Sequence, residues 1–375
     1  MNSQQRINGA DSTCHPQTSG DLSFVSLVVP AFNEEDIIEK NLTALCRYMS
    51  SIEKEYRWEL ILVNDGSTDR TGDLAEAFAK SRANVHVLHH MYNFRLGQAL
   101  RSAFNKCRGD YVVTMDLDLS YSPDHICKML SEIQSTRAKI VIASPYMKGG
   151  KVSNVPWLRR VMSRWANRFL SLLVKTPFDK PTTLTGMVRA YDKKFLSGLA
   201  LKAMDVDIHS EIIYKAMILR ARIVEIPAHL EWNYAIEKDK RRQSSMRILR
   251  SIMLNLTSGF ALRPFMFFMI PGLTLLIVSI YPLARAAIHT LTNYRTIIDT
   301  SDSIIFPISE AVAAAFFQSP QSFIFGSFGL IVAIQFICLG FLSYQNKRNY
   351  DELFYLNSII HNNTSPLNKV PHQIT

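Results

Sequence analysis

The 375-residue sequence lacks several patterns that would assign it to a common class of protein. Its few cysteines form no Cys-x-x-Cys pair or other metal-binding spacing; they are Cys14, Cys46, Cys107, Cys127 and Cys338. This odd, scattered set argues against a disulfide framework and fits a reducing compartment. Residues 1–21 are polar without an apolar core, so we expect a flexible tail and not a signal peptide.

The net charge of +10 comes without any of the usual nucleic-acid-binding motifs, so we expect no nucleic-acid partner. Much of the excess lies in residues 236–263, directly before an apolar run. A basic juxtamembrane segment attracted to a bilayer explains this placement better.

Two apolar runs near the C-terminus, residues 265–284 and 322–344, contain no charged residue. Each reaches the roughly 20 residues that a spanning helix needs. We therefore expect a membrane region at 264–346, with transmembrane helices at about 265–285 and 322–344. The apolar residues 304–317 are too few to span and suggest an interfacial or re-entrant segment.

The distribution of cations predicts the orientation of these spans. Residues 236–263 are basic, Lys347 and Arg348 follow the second run, and the connecting stretch has few cations. By the positive-inside rule, both termini, including the tail 347–375, are expected on the cytoplasmic side of the cell or endoplasmic reticulum membrane.

Residues 22–235 alternate short β-branched runs with helical segments. We expect strands at 24–30, 58–63, 85–88, 111–115 and 140–143, and helices after Asn33, at 69–80 and at 98–107. This alternation predicts an α/β fold with a mostly parallel sheet flanked by helices. Ligands of such sheets bind at the carboxyl ends of the strands.

The sharpest chemical feature is the pair Asp116 and Asp118, directly after the run YVVTM. On an extended backbone, residues two apart project to the same side. Two carboxylates held close need a cation between them, and Mg²⁺ takes one or two carboxylates plus substrate phosphates. The alternative is a solvated acidic turn.

Polar residues also follow the first two expected strands, at 30–34 and 65–67. A carboxylate at a strand end can accept a hydrogen bond from a nucleobase, and glycine lets a backbone approach closely. Each segment has an alternative explanation as a helix cap or a turn.

The order PAFNEED, VNDGSTDRT and MDLDLSYSPD resembles glycosyltransferase family 2, which has the GT-A fold. The similarity is to its subgroup of dolichyl-phosphate mannose synthases and bacterial polyprenyl-phosphate glycosyltransferases, and it covers residues 24–250. The resemblance implies an inverting transfer of a hexose from a UDP- or GDP-linked sugar to dolichyl or undecaprenyl phosphate, with Mg²⁺ or Mn²⁺.

The resemblance also implies roles for individual residues. For the donor it implies Pro30, Ala31, Asn33, Glu34, Asp65, Ser67 and Asp116, and for the metal Asp116, Asp118 and Ser120, the last where the family often has glutamine. Arg159 and Arg160 match arginines that bind the acceptor phosphate and are implied to be catalytic with Asp116 and Asp118. The subgroup usually has another arginine where this chain has Pro145, so Lys148, Arg164 and Arg189 are further candidates. A basic helix face toward lipid headgroups is the alternative.

Three other functions stay open. A processive membrane polysaccharide synthase would show Gln-x-x-Arg-Trp and more spans, and a sugar nucleotidyltransferase would show an early Gly-x-Gly-x-Arg loop; the sequence has neither motif. Glu211 lies near the later acidic position of the synthases and is equally well explained as a structural residue. The third is an inactive lipid-binding scaffold on the same fold. A homo-oligomer is also compatible with the sequence.

Overall fold

The computed structural model describes residues 22–155, 157, 160, 161, 163–165, 167, 168, 181–231, 264–298 and 307–364. The chain divides into two compact units, Met1–Gly259 with Phe354–Thr375, and Phe260–Leu353. The expected N-terminal tail, Arg159 and the basic segment 236–263 lie outside the described residues.

The first unit has a seven-stranded sheet with helices between most of its strands. The strands and helices are β1 (Ser23–Ala31), α1 (Ile38–Ser51), β2 (Tyr56–Asn64), α2 (Thr71–Ala79), β3 (Val85–His89), α3 (Arg95–Lys106), β4 (Tyr111–Thr114), α4 (Asp124–Thr136), β5 (Ile140–Ser144), β6 (Lys151–Ser153), β7 (Arg189–Asp192), α5 (Lys193–Ser197), α6 (Ile208–Ile218), β8 (Ile223–Pro227) and β9 (His229–Glu231). In the gap before β7, the described residues between 157 and 168 are helical.

The strand order is β3-β2-β1-β4-β7-β5-β8. Every pairing in this sheet is parallel except the two made by β7, which runs antiparallel to β4 and β5. Strands β6 and β9 form a separate parallel pair. The expected mostly parallel α/β fold is confirmed.

The sheet is covered on both faces, which explains the continuous apolar runs of its central strands. Leu27 and Leu60 belong to the main core together with the buried face of α1. Val28 and Ile61, which alternate with them, are buried as well but lie outside that cluster. A central sheet of this kind holds its strand ends rigidly.

A buried carboxylate, Glu59 in β2, fixes the start of β4. It accepts hydrogen bonds from Ser26 Oγ at 2.6 Å, and from the backbone N and Nε of Arg108, both at 2.8 Å. Burial raises the pKa of Glu59, but the hydrogen bonds from Ser26 and Arg108 outweigh it, so the pKa lies below its ordinary value. The ionised carboxylate is therefore part of the folded structure.

The second unit contains α7 (Pro264–Ile298), α8 (Pro307–Gln318) and, up to Leu353, α9 (Pro320–Thr364). Helices α7 and α9 are long and apolar enough to cross a membrane, by length and composition, and only 11% and 17% of their most apolar windows are buried. A core helix of a soluble protein would be mostly buried. Pro271 and Pro282 lie inside α7 without ending it, as membrane helices tolerate.

Glycines allow α7 and α9 to pack closely as antiparallel neighbours. Gly340 lies against Met269, Gly329 against Ser279 and Gly326 against Leu283, and in α7 Gly272 lies against Ile337. As the residue number in α7 increases, that of its neighbour in α9 decreases. Small residues are typical of close helix contacts in membranes.

Both long helices extend past the expected spans. Helix α7 continues from 285 to Ile298, and α9 continues from 344 to Thr364. The apolar stretch expected at 304–317 overlaps with α8, and Asn293 of α7 exchanges two side-chain hydrogen bonds with Gln318, at 3.3 and 3.4 Å.

Cys46, Cys107 and Cys338 are free thiols. Cys127 is disulfide-bonded, which the scattered cysteine spacing did not predict.

Candidate active site

The candidate residues follow three strands that lie side by side. Strand β1 pairs with β2 through Ala31 and Asn64, and with β4 through Val28 and Thr114. Because these strands are parallel, their carboxyl ends meet at one edge of the sheet. The edge brings the segments after Pro30, after Asn64 and after Thr114 together.

The loops after β1 and β2 are joined by reciprocal hydrogen bonds. The backbone N of Asn33 donates to Ser67 Oγ at 3.0 Å, and Thr68 N donates to Asn33 Oδ1 at 2.8 Å. Glu34 N donates to Thr71 Oγ1 at 2.8 Å. Asn33 adopts a left-handed backbone with φ 53°, which asparagine tolerates. The helix expected directly after Asn33 begins only at Ile38, so Asn33 does not cap it and binds the other loop instead.

Asp65 is 4% exposed and connects β2 to the loop after β3. Its Oδ1 lies 2.7 Å from His90 Nδ1 and accepts from Phe94 N at 3.0 Å. The next residue, Gly66, has φ 67°, and a Cβ there would lie 2.3 Å from the carbonyl carbon of Tyr92. Only glycine fits this turn, so the backbone after Asp65 is held against the loop after β3.

Asp116 and Asp118 lie in a turn and not on an extended strand. Strand β4 ends at Thr114, and Leu119 N contacts the Asp116 carbonyl oxygen at 3.3 Å. Leu119 is left-handed, with φ 52°. Ser120 N donates to Asp118 Oδ1 at 2.9 Å. The expectation that strand alternation aligns the two aspartates is therefore wrong.

Three carboxylates approach one another around this turn. Burial, followed by the nearby charges of Asp118 and Glu34, raises the pKa of Asp116 to about 7. A bound cation would relieve this repulsion. Among the described residues, no group of three or more His, Cys, Asp or Glu side chains is arranged to hold a metal by itself. The site fits a cation that takes part of its coordination from a bound ligand.

The segment containing the acceptor candidates contacts the loop after β5. Tyr146 donates from its hydroxyl to Ser163 Oγ at 2.8 Å, and the Arg164 guanidinium lies 5.9 Å from the centre of the Tyr146 ring. Lys148 is exposed. Since β5 runs in the same direction as β4, this loop lies at the same edge of the sheet as the aspartates.

Arg160 and Arg189 are held in different ways. Arg160 donates from Nη2 to the Val155 carbonyl oxygen at 3.2 Å, and its buried Nε has no partner among the described residues. Arg189 is fully buried and donates to three backbone carbonyls, those of Gly186 at 2.7 Å, Leu184 at 2.6 Å and His209 at 3.2 Å. Burial lowers the pKa of Arg189. Because its guanidinium binds the chain itself, we leave Arg189 out of the acceptor site.

Two other residues of the site have no motif in the sequence. Asn41, buried in α1, donates from Nδ2 to the Leu117 carbonyl oxygen at 2.9 Å and so holds the turn between the two aspartates. His90 lies between Asp65 and Ser102, with its Nε2 2.9 Å from Ser102 Oγ. Glu211, by contrast, accepts from the backbone of Lys202 and Ala203 and from Lys215 Nζ, which is a structural role.

Comparison with known proteins identifies a family and several relatives that match part of this chain. Residues 26–199 match the model of the family described as glycosyl transferase family 2. A dolichol-phosphate mannosyltransferase from Pyrococcus furiosus is 29% identical over 203 residues, which are 54% of this chain and 55% of that protein. The chain thus spans about half the length of that relative.

Two further relatives align with this chain over more of their own length. A dolichyl-phosphate beta-glucosyltransferase from Trichomonas vaginalis is 35% identical over 231 residues, or 60% of this chain and 69% of the relative. A solved mannosyltransferase from Pyrobaculum calidifontis, in complex with GDP-Man and Mn²⁺, aligns over 92% of this chain and 88% of its own, with 16% identity and a TM-score of 0.44. The family model and the relatives named for dolichyl phosphate agree: the chain belongs to glycosyl transferase family 2.

Proposed function

We propose that this protein transfers a hexose from a UDP- or GDP-linked sugar to the phosphate of a polyprenyl lipid, dolichyl or undecaprenyl phosphate. The observation that carries the proposal is the convergence of Asp65, Glu34, Asp116 and Asp118 at one edge of the sheet. The similarity to two dolichyl-phosphate glycosyltransferases supports the choice of acceptor.

The donor would bind along the ends of β1, β2 and β4. Asp65 would accept from the nucleobase, while the paired loops that contain Asn33 and Ser67 would surround the base and ribose with Pro30 and Ala31. Supporting this, three hydrogen bonds from backbone N–H groups to side-chain oxygens already join these loops, so the pocket wall is largely formed before the donor arrives. A preformed wall reduces the entropy lost on binding.

Asp116 and Asp118 would hold Mg²⁺ or Mn²⁺. The raised pKa of Asp116 supports this, because burial and then the charges of Asp118 and Glu34 disfavour the ionised carboxylate, and a bound cation would stabilise it. A divalent ion, when bound, neutralises charge on the departing nucleoside diphosphate. Ser120 contributes its backbone N–H to Asp118 and so orients that carboxylate.

The acceptor needs no strong general base. The second pKa of a phosphate monoester is about 6, so its oxygen is largely deprotonated at neutral pH. That oxygen would attack the anomeric carbon while the bond from this carbon to the diphosphate oxygen breaks, which inverts the configuration and releases the nucleoside diphosphate. Arg160, Arg164, Lys148 and Arg159 would bind the acceptor phosphate, since arginine suits planar recognition of oxyanions.

The helices α7 and α9 would anchor the protein in the membrane that contains its lipid acceptor. Their apolar length supports this. From the distribution of cations, we propose that the catalytic domain and both termini are cytoplasmic. We also propose the division into a catalytic domain at 22–235, a basic juxtamembrane segment at 236–263, a membrane region at 264–346 and a tail at 347–375.

The test is to incubate the full chain in membranes with polyprenyl phosphate, Mn²⁺ and radiolabelled UDP-glucose, UDP-N-acetylglucosamine or GDP-mannose, and then to extract the lipid. We expect one of the labels in a lipid product that releases a monosaccharide on mild acid hydrolysis. A released polymer would identify a processive synthase instead. Nucleotide binding without transfer from any donor would indicate the inactive scaffold.

A further inference from the structure

A chain of hydrogen bonds runs from helix α3 to the carboxylate of Asp65. Gln98 Nε2 donates to Ser102 Oγ at 3.4 Å, Ser102 Oγ lies 2.9 Å from His90 Nε2, and His90 Nδ1 lies 2.7 Å from Asp65 Oδ1. His90 is 11% exposed at its side chain. The nearly buried imidazole of His90 therefore orients the Asp65 carboxylate.

The donors of this chain follow from the chemistry of its end. An ionised carboxylate only accepts hydrogen bonds, so His90 Nδ1 carries the proton in its contact with Asp65. In the neutral ring, Nε2 is then an acceptor, and the Ser102 hydroxyl donates to it. Ser102 Oγ remains an acceptor for Gln98. The hydrogen bonds of the chain therefore run in one consistent direction, from Gln98 to Asp65.

The same contacts saturate one oxygen of the carboxylate. A carboxylate has about four lone-pair sites, two on each oxygen. Asp65 Oδ1 uses both of its sites, for His90 Nδ1–H and for Phe94 N–H. Oδ2 accepts no hydrogen bond from the described residues, and it is not completely buried. Asp65 thus presents a single accepting oxygen to a ligand.

This difference between the two oxygens of Asp65 determines which nucleobase the carboxylate can bind well. Uracil presents one ring N–H between two carbonyl groups and needs one accepting oxygen. Guanine presents a ring N–H and an amino N–H side by side, and binds a carboxylate best through both oxygens. Guanine here would place a third donor on the saturated Oδ1, or leave its amino group unpaired, and an unpaired buried polar group is costly.

We propose that His90 is a positioning residue that saturates Asp65 Oδ1 and thereby selects a uridine diphosphate donor over a guanosine diphosphate donor. This inference rests on the proposed function, because Asp65 must face the base. The inference gives a role to His90, which lies outside every motif of the sequence. It also narrows the nucleotide of the donor to one that contains uracil.

The test compares the binding of UDP and GDP, each with Mn²⁺, to the full chain in detergent by isothermal titration calorimetry. We expect UDP to bind at least tenfold more tightly, which corresponds to about 1.4 kcal/mol. Equal affinities, or tighter binding of GDP, would overturn the inference and leave the proposed function intact. Binding of neither nucleotide would overturn both.

Variants of His90 distinguish a positioning role from a general effect on protein stability. His90→Ala frees Oδ1, so the ratio of UDP to GDP affinity should fall at least threefold. His90→Asn keeps an N–H donor near Asp65 and should restore most of the ratio. His86→Ala, a histidine at the other end of β3 that contacts Glu59 and Arg108, is the control and should leave the ratio unchanged. A ratio unchanged in His90→Ala, with the protein folded, contradicts the role of His90.

Discussion

Asn41 Nδ2 donates to the backbone oxygen of Leu117 at 2.9 Å, across 76 positions of sequence, and both residues are buried. Leu117 lies between the two aspartates and its side chain belongs to the main core. This hydrogen bond and this packing together fix the direction in which Asp116 and Asp118 leave the sheet. A residue of α1 thus determines the geometry of the turn without being part of it.

Replacing Asn41 by leucine should therefore reduce both stability and transfer. The variant leaves the Leu117 carbonyl oxygen unpaired in the core, which costs about 1–3 kcal/mol. We expect a lower unfolding temperature by differential scanning fluorimetry and at least tenfold less lipid-linked sugar. Asn105→Leu, at an exposed position of α3, is the control. Full activity of a folded Asn41→Leu protein would show that the turn needs no such support.

Loss of a single carboxylate should abolish transfer if the aspartates bind the metal. We expect Asp118→Asn to lower the rate by orders of magnitude with little change in the unfolding temperature, because the amide keeps the size and removes the charge. Asp124→Asn, a carboxylate that binds Lys128 at the start of α4, is the matched control. Unchanged lipid-linked product from Asp118→Asn would remove the basis for a metal at this turn.

The sequence predicted which strands lead to the site, because a buried strand followed by polar residues is a local pattern. It did not predict how the site residues are held. The alternation rule placed Asp116 and Asp118 on an extended strand, whereas the contact from Asn41 and the packing of Leu117 stabilise a turn. His90 was missed for the same reason, since its partners Asp65 and Ser102 are joined only by the pairing of β2 with β3 and the packing of α3. No short window of sequence contains these contacts.

For the two long apolar helices α7 and α9, the sequence predicted their existence but not their ends. Their existence followed from composition alone, since a long uncharged run is a strong signal. Their ends did not, because α9 continues through polar residues to Thr364, where hydrophobicity gives no information about helix length.

Removing Arg164 or Arg160 should weaken the binding of the lipid substrate more than the binding of the donor. We expect Arg164→Ala to raise the KM for polyprenyl phosphate several-fold and to leave the KM for the nucleotide sugar nearly unchanged. Arg160→Ala should have a larger effect, because Arg160 is less exposed and its Nε lacks a partner among the described residues. Arg47→Ala, on the exposed side of α1, serves as the comparison. If donor KM rises instead, these arginines belong to the donor site.

Glu59 should make the stability of the first unit sensitive to acid. Its folded pKa is lowered, so its contribution is complete above the unfolded pKa of about 4.3 and is lost as the pH falls through the folded value. Glu59→Gln should lower the unfolding temperature at pH 7, and the difference from the unmodified chain should shrink below about pH 4. Glu53→Gln, at an exposed turn, should change neither. A difference that stays constant from pH 7 to pH 3 would show that lost packing, and not charge, is the cause.

The close packing of α7 and α9 should depend on Gly329, whose position for a Cβ lies 2.3 Å from Ser279 Oγ. That hydroxyl also donates to the Leu275 carbonyl oxygen at 2.7 Å, so it cannot move away without losing a hydrogen bond. Gly329→Val should separate the helices, and a disulfide engineered between Met269→Cys and Gly340→Cys, with the native cysteines replaced, should form more slowly in it. Ser327→Val places the same side chain two positions earlier, at an exposed site of α9, and should leave the rate unchanged. Equal rates of crosslinking in the two variants would mean that the glycine contact does not hold this pair together, and that the helices are kept adjacent by other contacts along their length.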